Sequence, residues 1–144
     1  MEEINEAATQ AYMEGLKLFG EQQHRQAIEA YERALVAAPD WTEALHGKAM
    51  ALMHLEDYDG AIAVGERICE LDKNDAFAHT SLSMFFQRKS AVAEAAGDEE
   101  QARALIERAE KEGARARMIA WKEELQKNPN APPPGPAGSM DVIQ

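Results

Sequence analysis

From Gly15 to Pro39 the chain reads GLKLFGEQQHRQAIEAYERALVAAP, with Gly15-x-x-Leu18 followed by Ala27-x-x-x-Tyr31-x-x-Ala34-Leu35-x-x-x-Pro39. Part of this pattern returns at one constant spacing: Gly15 aligns with Ala49 and Ser83, Leu18 with Leu52 and Phe86, Ala27 with Ala61, and Ile28 with Ile62. Leu35 with Cys69 and Ala37 with Leu71 keep the same spacing. Small residues recur where two helices must touch, and large apolar ones recur where a core must be filled. A self-similarity this long decides the architecture before local propensity does.

The Gly15–Pro39 segment resembles the tetratricopeptide repeat, a helix–turn–helix of this period. Residues 8–41 form a first repeat and 42–75 a second, in which Leu45, Ala49, Leu52, Tyr58, Ala61, Ile62 and Leu71 keep the pattern. The second departs from it at Gly65, where an aromatic is usual, and at Ile68, where alanine is usual; Ile68 is expected to fill the volume that Gly65 leaves. A third repeat, 76–112, keeps Leu82, Ser83 and Phe86, but Ala102-x-x-x-Ile106-x-x-Ala109 comes later than the spacing would put it, which places a seven-residue insertion near 90–96. Two extra turns in the preceding helix absorb it with a change of facing of only about 20°. The resemblance implies an all-α fold, a right-handed superhelical stack of about three helix hairpins with a long C-terminal helix.

Helix boundaries follow the same division. Asp40 with Glu43, and Asp98 with Gln101, have capping-box spacing, Asn74 is the expected N-cap of the third repeat, Gly97 suits a helix stop and Pro39 marks a helix end. From Glu99 to Lys127 an apolar stripe of Ala102, Leu105, Ile106, Ala109, Ala116, Ile119 and Ala120 predicts one helix with a soft point at Gly113. Its segment 113–127 is the expected cap, with Met118, Trp121 and Leu125 covering the end of the repeats. Trp41 and Trp121 read as packing anchors. The proline-rich residues 128–144 read as a disordered or polyproline-type tail.

A length of 144 residues suits one compact domain with one core. The formal charge of −11 opposes binding to nucleic acid or to an anionic leaflet. No segment nears the roughly 20 apolar residues of a membrane span, so no membrane insertion is expected, and the acidic N-terminus makes the cytoplasm the default location. Cys69, the single cysteine, lies in an apolar run and reads as a buried, inert thiol. Adjacent carboxylates such as Glu99-Glu100 are splayed on helices, no serine and histidine cluster with an acid, and no glycine-rich phosphate loop occurs, so the chain reads as no enzyme.

In the resembled family the first helix of each repeat lines a concave groove. With Gly15, Ala49 and Ser83 aimed at their partner helices, the inward set is Tyr12, Leu16 and Phe19, then Glu43, His46, Met50, Met53 and His54, then Phe77, Thr80, Met84, Gln87 and Arg88. Methionines and aromatics of this kind suit an amphipathic helix or an apolar peptide, which makes the chain a protein-binding adaptor. The bland alternative is that some of these residues are core. Chaperone-binding members hold a peptide's terminal carboxylate with lysine, asparagine and arginine. At the matching places stand Tyr12, Leu16, Gly47, Phe77 and Ser81, so that clamp is not expected here.

His46, Met50 and His54 at helical spacing, with Met53 alongside, offer soft donors to copper, but such a stripe needs no metal to explain it; no metal or cofactor is expected. His24 and His79 read as isolated. Two competing roles for the apolar surface stay open: a homo-oligomeric scaffold built through it, and a C-terminal segment, Met140 to Ile143, folded into it.

Overall fold

In the computed structural model, which describes residues 4–135, the chain forms six α-helices and, among those residues, no strand. They are α1 (Glu6–Gly20), α2 (His24–Ala37), α3 (Thr42–His54), α4 (Tyr58–Leu71), α5 (Ala76–Ala95) and α6 (Glu99–Lys127). One core was the expectation from length, yet the fold divides into two compact bodies between Leu71 and Asp72. The division follows from repeat architecture, in which an element packs against its neighbours in the chain and not against a common centre. In the first body α1 packs on α2, α2 on α3 and α3 on α4; in the second, α5 packs on α6.

The first body is centred on Tyr31, which is 1% exposed. A Cβ added to Gly15 of α1 would lie 2.6 Å from its ring, and one added to Gly47 of α3 would lie 2.5 Å away. Both distances are far inside van der Waals contact, so the rigid ring of α2 can lie against two neighbouring helices only because neither carries a side chain there. Gly15 is small for this reason, and Gly47 serves the same end outside the repeat pattern. Ala27, Ala30, Ala34, Ala44 and Ala61 are fully buried in this body, and Ile68 is 1% exposed.

In the second body Ser83 Oγ donates to the Ala109 carbonyl and Ser90 Oγ to the Ala102 carbonyl, each at 2.8 Å. The partner moves seven residues back along α6 for seven forward along α5, which fixes an antiparallel register. Leu82, Phe85 and Phe86 are at most 2% exposed, and Arg108 lies 4.3 Å from the centre of the Phe86 ring.

Each hairpin turns through one residue in left-handed conformation: Gln22 (φ 63°), Glu56 (φ 63°) and Gly97 (φ 85°). After each comes an amide that reaches back five residues, Gln23 to Leu18, Asp57 to Leu52 and Asp98 to Ala93, all at 2.9 Å, which satisfies a carbonyl at the helix end. The step from Gln22 to Glu56 equals the repeat spacing and the step from Glu56 to Gly97 exceeds it, so the seven-residue displacement lies in the first helix of the last hairpin. That helix, α5, has 20 residues where α1 has 15 and α3 has 13.

The N-caps correct two expectations. Asn5, Asp75 and Asp98 accept from the Ala8, Ala78 and Gln101 amides respectively. Asp98 caps α6 as its spacing predicts, but the cap of α5 is Asp75 and not Asn74. Asp40 caps nothing: Trp41 holds that position without a side-chain cap bond, and Asp40 pairs instead with Arg67 at 2.9 Å. The guanidinium draws the carboxylate away from the helix end, and Glu43 accepts from the Trp41 indole.

α6 runs unbroken through Gly113. Past its end, Trp121 Nε1 donates to the Ala131 carbonyl at 3.1 Å, and Ala131 is 9% exposed. The start of the proline-rich stretch therefore folds back on α6, because the indole offers a donor and an apolar surface together. Met118 is 40% exposed, so the cap it was expected to form does not bury it. The segment Met140–Ile143 lies outside the described residues.

Candidate functional site

The expected inward residues of α1 and α3 lie on two helices that touch, and they differ in burial. Tyr12 is half-buried, its ring 4.7 Å from Trp41 and 6.0 Å from Tyr31, which fixes its orientation. Leu16, one turn on, is 44% exposed. His46 and Met50 are half-buried, and Glu43 and His54 are exposed. Met53 departs from the expected set: at 6% exposure it belongs to the core. The 100° step per residue turns it from Met50 towards the packed side of α3, and volume there is filled by it.

The far end of this face holds an aromatic cluster that the sequence did not disclose. The imidazoles of His24 and His54 stack with centroids 4.6 Å apart and 8° between planes, and Phe19 meets their edges at 5.0 and 5.3 Å. His24 opens α2 and His54 closes α3, an offset that no repeat rule flags. His24 Nδ1 is buried without a hydrogen-bond partner among the described residues. Burial, with His54 stacked on the ring, holds the His24 imidazole below its ordinary value. Burial, and then Tyr12, pushes the Tyr31 phenol up.

The second body carries a separate set on α5. Phe77 is 58% exposed; Thr80, Gln87 and Arg88 are exposed, and Met84 is half-buried. Thr80 Oγ1 returns to the Ala76 carbonyl and Gln87 Nε2 to Ser83 Oγ, so both polar groups are partly committed within their helix. His79, read as isolated, is the body's buried polar centre. Its Nδ1 lies 2.6 Å from Glu112 and its Nε2 3.2 Å from the Lys73 carbonyl, and Glu112 also accepts from Arg115. The long-range partner stands on another helix, beyond the reach of local spacing.

Among the described residues no three histidines, cysteines or acids gather to hold a metal ion, and no helix is long and apolar enough to cross a membrane. The His46–Met50–His54 stripe is divided by its surroundings, since His54 stacks on His24. Cys69 is half-buried, not buried as expected.

Comparison with known proteins agrees with the fold of stacked helical hairpins. The family model described as "Tetratricopeptide repeat" matches residues 12–76. No curated protein matches the chain. Among solved structures, the second TPR of Spaghetti (RPAP3) bound to HSP90 peptide SRMEEVD is similar at TM-score 0.56 and 23% identity, over 69% of this chain and 93% of that one. The first TPR of Spaghetti (RPAP3), bound to the same peptide, gives TM-score 0.57 and 20% identity over 82% and 94%. MamA gives 0.57 and 18% over 84% and 61%. Identities at this level speak for the fold alone. With the recurring hairpins, the Tyr31 packing and the matched model together, residues 12–76 belong to the tetratricopeptide repeat family.

Proposed function

We propose that this chain is a protein-interaction module, acting by binding and not by catalysis, and that it takes an amphipathic helix or apolar peptide on the α1–α3 face. The observation that carries this reading is the exposure of Leu16 at 44% on α1, one turn from half-buried Tyr12, with Met50 half-buried on α3, a helix that α1 touches. Such side chains offer a partner apolar area, while the fixed Tyr12 ring loses little freedom on binding. The structural neighbours that hold an HSP90 peptide lend the fold-level precedent. The residues at the clamp positions favour a different ligand chemistry. Tyr12 and Leu16 bring no positive charge, and Tyr31 fills the room that a side chain at Gly47 would need. Phe77 and Met84 on α5 form a second candidate surface on the other body.

Titration of an apolar amphipathic peptide against the wild type and against Met50→Glu and Met84→Glu variants tests the reading. Weaker binding to Met50→Glu is expected; equal affinity for all three proteins contradicts it.

Exposed apolar residues away from that face favour a second reading, self-association. Val36 is 84% exposed and Val92 54%. Light scattering over a range of concentrations separates the two, since a constant monomer mass contradicts the scaffold.

A further inference from the structure

We infer that the partner segment taken by the α1–α3 face is cationic: an amphipathic helix with a basic polar side. This rests on the docking reading above and adds the charge of the ligand to it.

The charge of the chain is unevenly divided. Residues 1–71 hold 14 of the 26 acidic residues and 5 of the 15 basic ones, a formal −9 out of −11. Three of those five cations already sit against carboxylates: Arg33 with Glu14 at 2.6 Å, Lys48 with Glu32 at 3.4 Å, and Arg67 with Asp40 and Glu70. The body that presents Leu16 and Met50 therefore stays strongly negative after its five cations are counted. On the face itself Glu43 is exposed, beside the Tyr12–Trp41 pair.

An apolar strip in such a field selects by sign. A ligand whose greasy side meets Tyr12, Leu16 and Met50 keeps its polar side in the field of an acidic body, with Glu43 on the face itself, where lysine or arginine lowers the energy and glutamate raises it. An acidic peptide meets repulsion and no lysine or arginine in the Tyr12, Leu16 and Gly47 positions.

Three labelled helical peptides with one apolar face and a lysine-rich, glutamine-rich or glutamate-rich polar face decide the matter by fluorescence anisotropy. At about 20 mM salt the lysine-rich peptide is expected to bind about tenfold tighter than the glutamine-rich one, and the gap closes by about 500 mM. Glu43→Gln weakens the lysine-rich peptide more than Glu29→Gln on α2 does, and a Leu16→Ser, Met50→Ser variant weakens every peptide. Equal binding of all three peptides, lost in the Leu16→Ser, Met50→Ser variant, overturns the charge assignment and leaves the docking reading standing. Binding of the lysine-rich peptide that ignores the Leu16→Ser, Met50→Ser change overturns the docking reading. Failure of all three peptides to bind overturns both.

Discussion

The ring of Tyr31 occupies the volume that a side chain at Gly47 would need: a Cβ there would stand 2.5 Å from Tyr31 Cζ. The relationship ties α2 to α3 and, through Gly15, to α1 as well. It predicts that Gly47→Ala and Gly15→Ala each destabilise the protein by about 1–3 kcal/mol, despite alanine's better helix propensity, because the ring is buried and rigid. Denaturant unfolding of the single variants and of their combinations with Tyr31→Leu checks it. In the Tyr31→Leu background both penalties shrink, since the steric partner is gone.

The hairpin turns give a prediction of opposite sign. Gln22 and Glu56 hold a left-handed conformation that costs residues other than glycine about 1–2 kcal/mol. Glu56→Gly therefore raises stability by about 0.5–1 kcal/mol after the flexibility that glycine adds to the unfolded chain. Gly97→Ala lowers it by about 1 kcal/mol. Thermal melts of the two variants move in opposite directions.

The capping bonds separate two aspartates that look alike in sequence. Asp98→Ala loses the bond to the Gln101 amide and costs about 1 kcal/mol. Asp40→Ala loses an exposed ion pair with Arg67 and costs about 0–1 kcal/mol. Urea midpoints of the two variants give the order.

The histidine stack makes the first body sensitive to acid. The folded state holds His24 below its unfolded value near 6.5, so the unfolded chain takes up the proton first. Stability is level above that value, falls as the pH drops through the window below it, and levels again once both states are protonated. A His24→Leu variant loses this part of the slope, measurable as unfolding free energy against pH.

Much of the fold was legible because repeats write their packing into spacing. Gly15, Ala49 and Ser83 announced contact points, and the late arrival of Ala102 located the two extra turns that α5 carries. What stayed hidden depends on through-space partners. Nothing near Asp40 in sequence reports that Arg67 will take it from the helix end, and nothing near His24 or His79 reports His54 or Glu112. Spacing fixes the facing of a helical residue only to within a step, so Met53 groups with Met50 in sequence although it is buried in the core.

The most direct test of the docking account follows the methionine methyl resonances by NMR while the lysine-rich amphipathic peptide is added. Met50 lies on the proposed face, whereas Met118 lies on α6 in the other body and is 40% exposed, a ready control for unselective contact. The account predicts that the Met50 signal shifts with saturation while Met118 stays still. A titration that moves Met118 and leaves Met50 unchanged would contradict it.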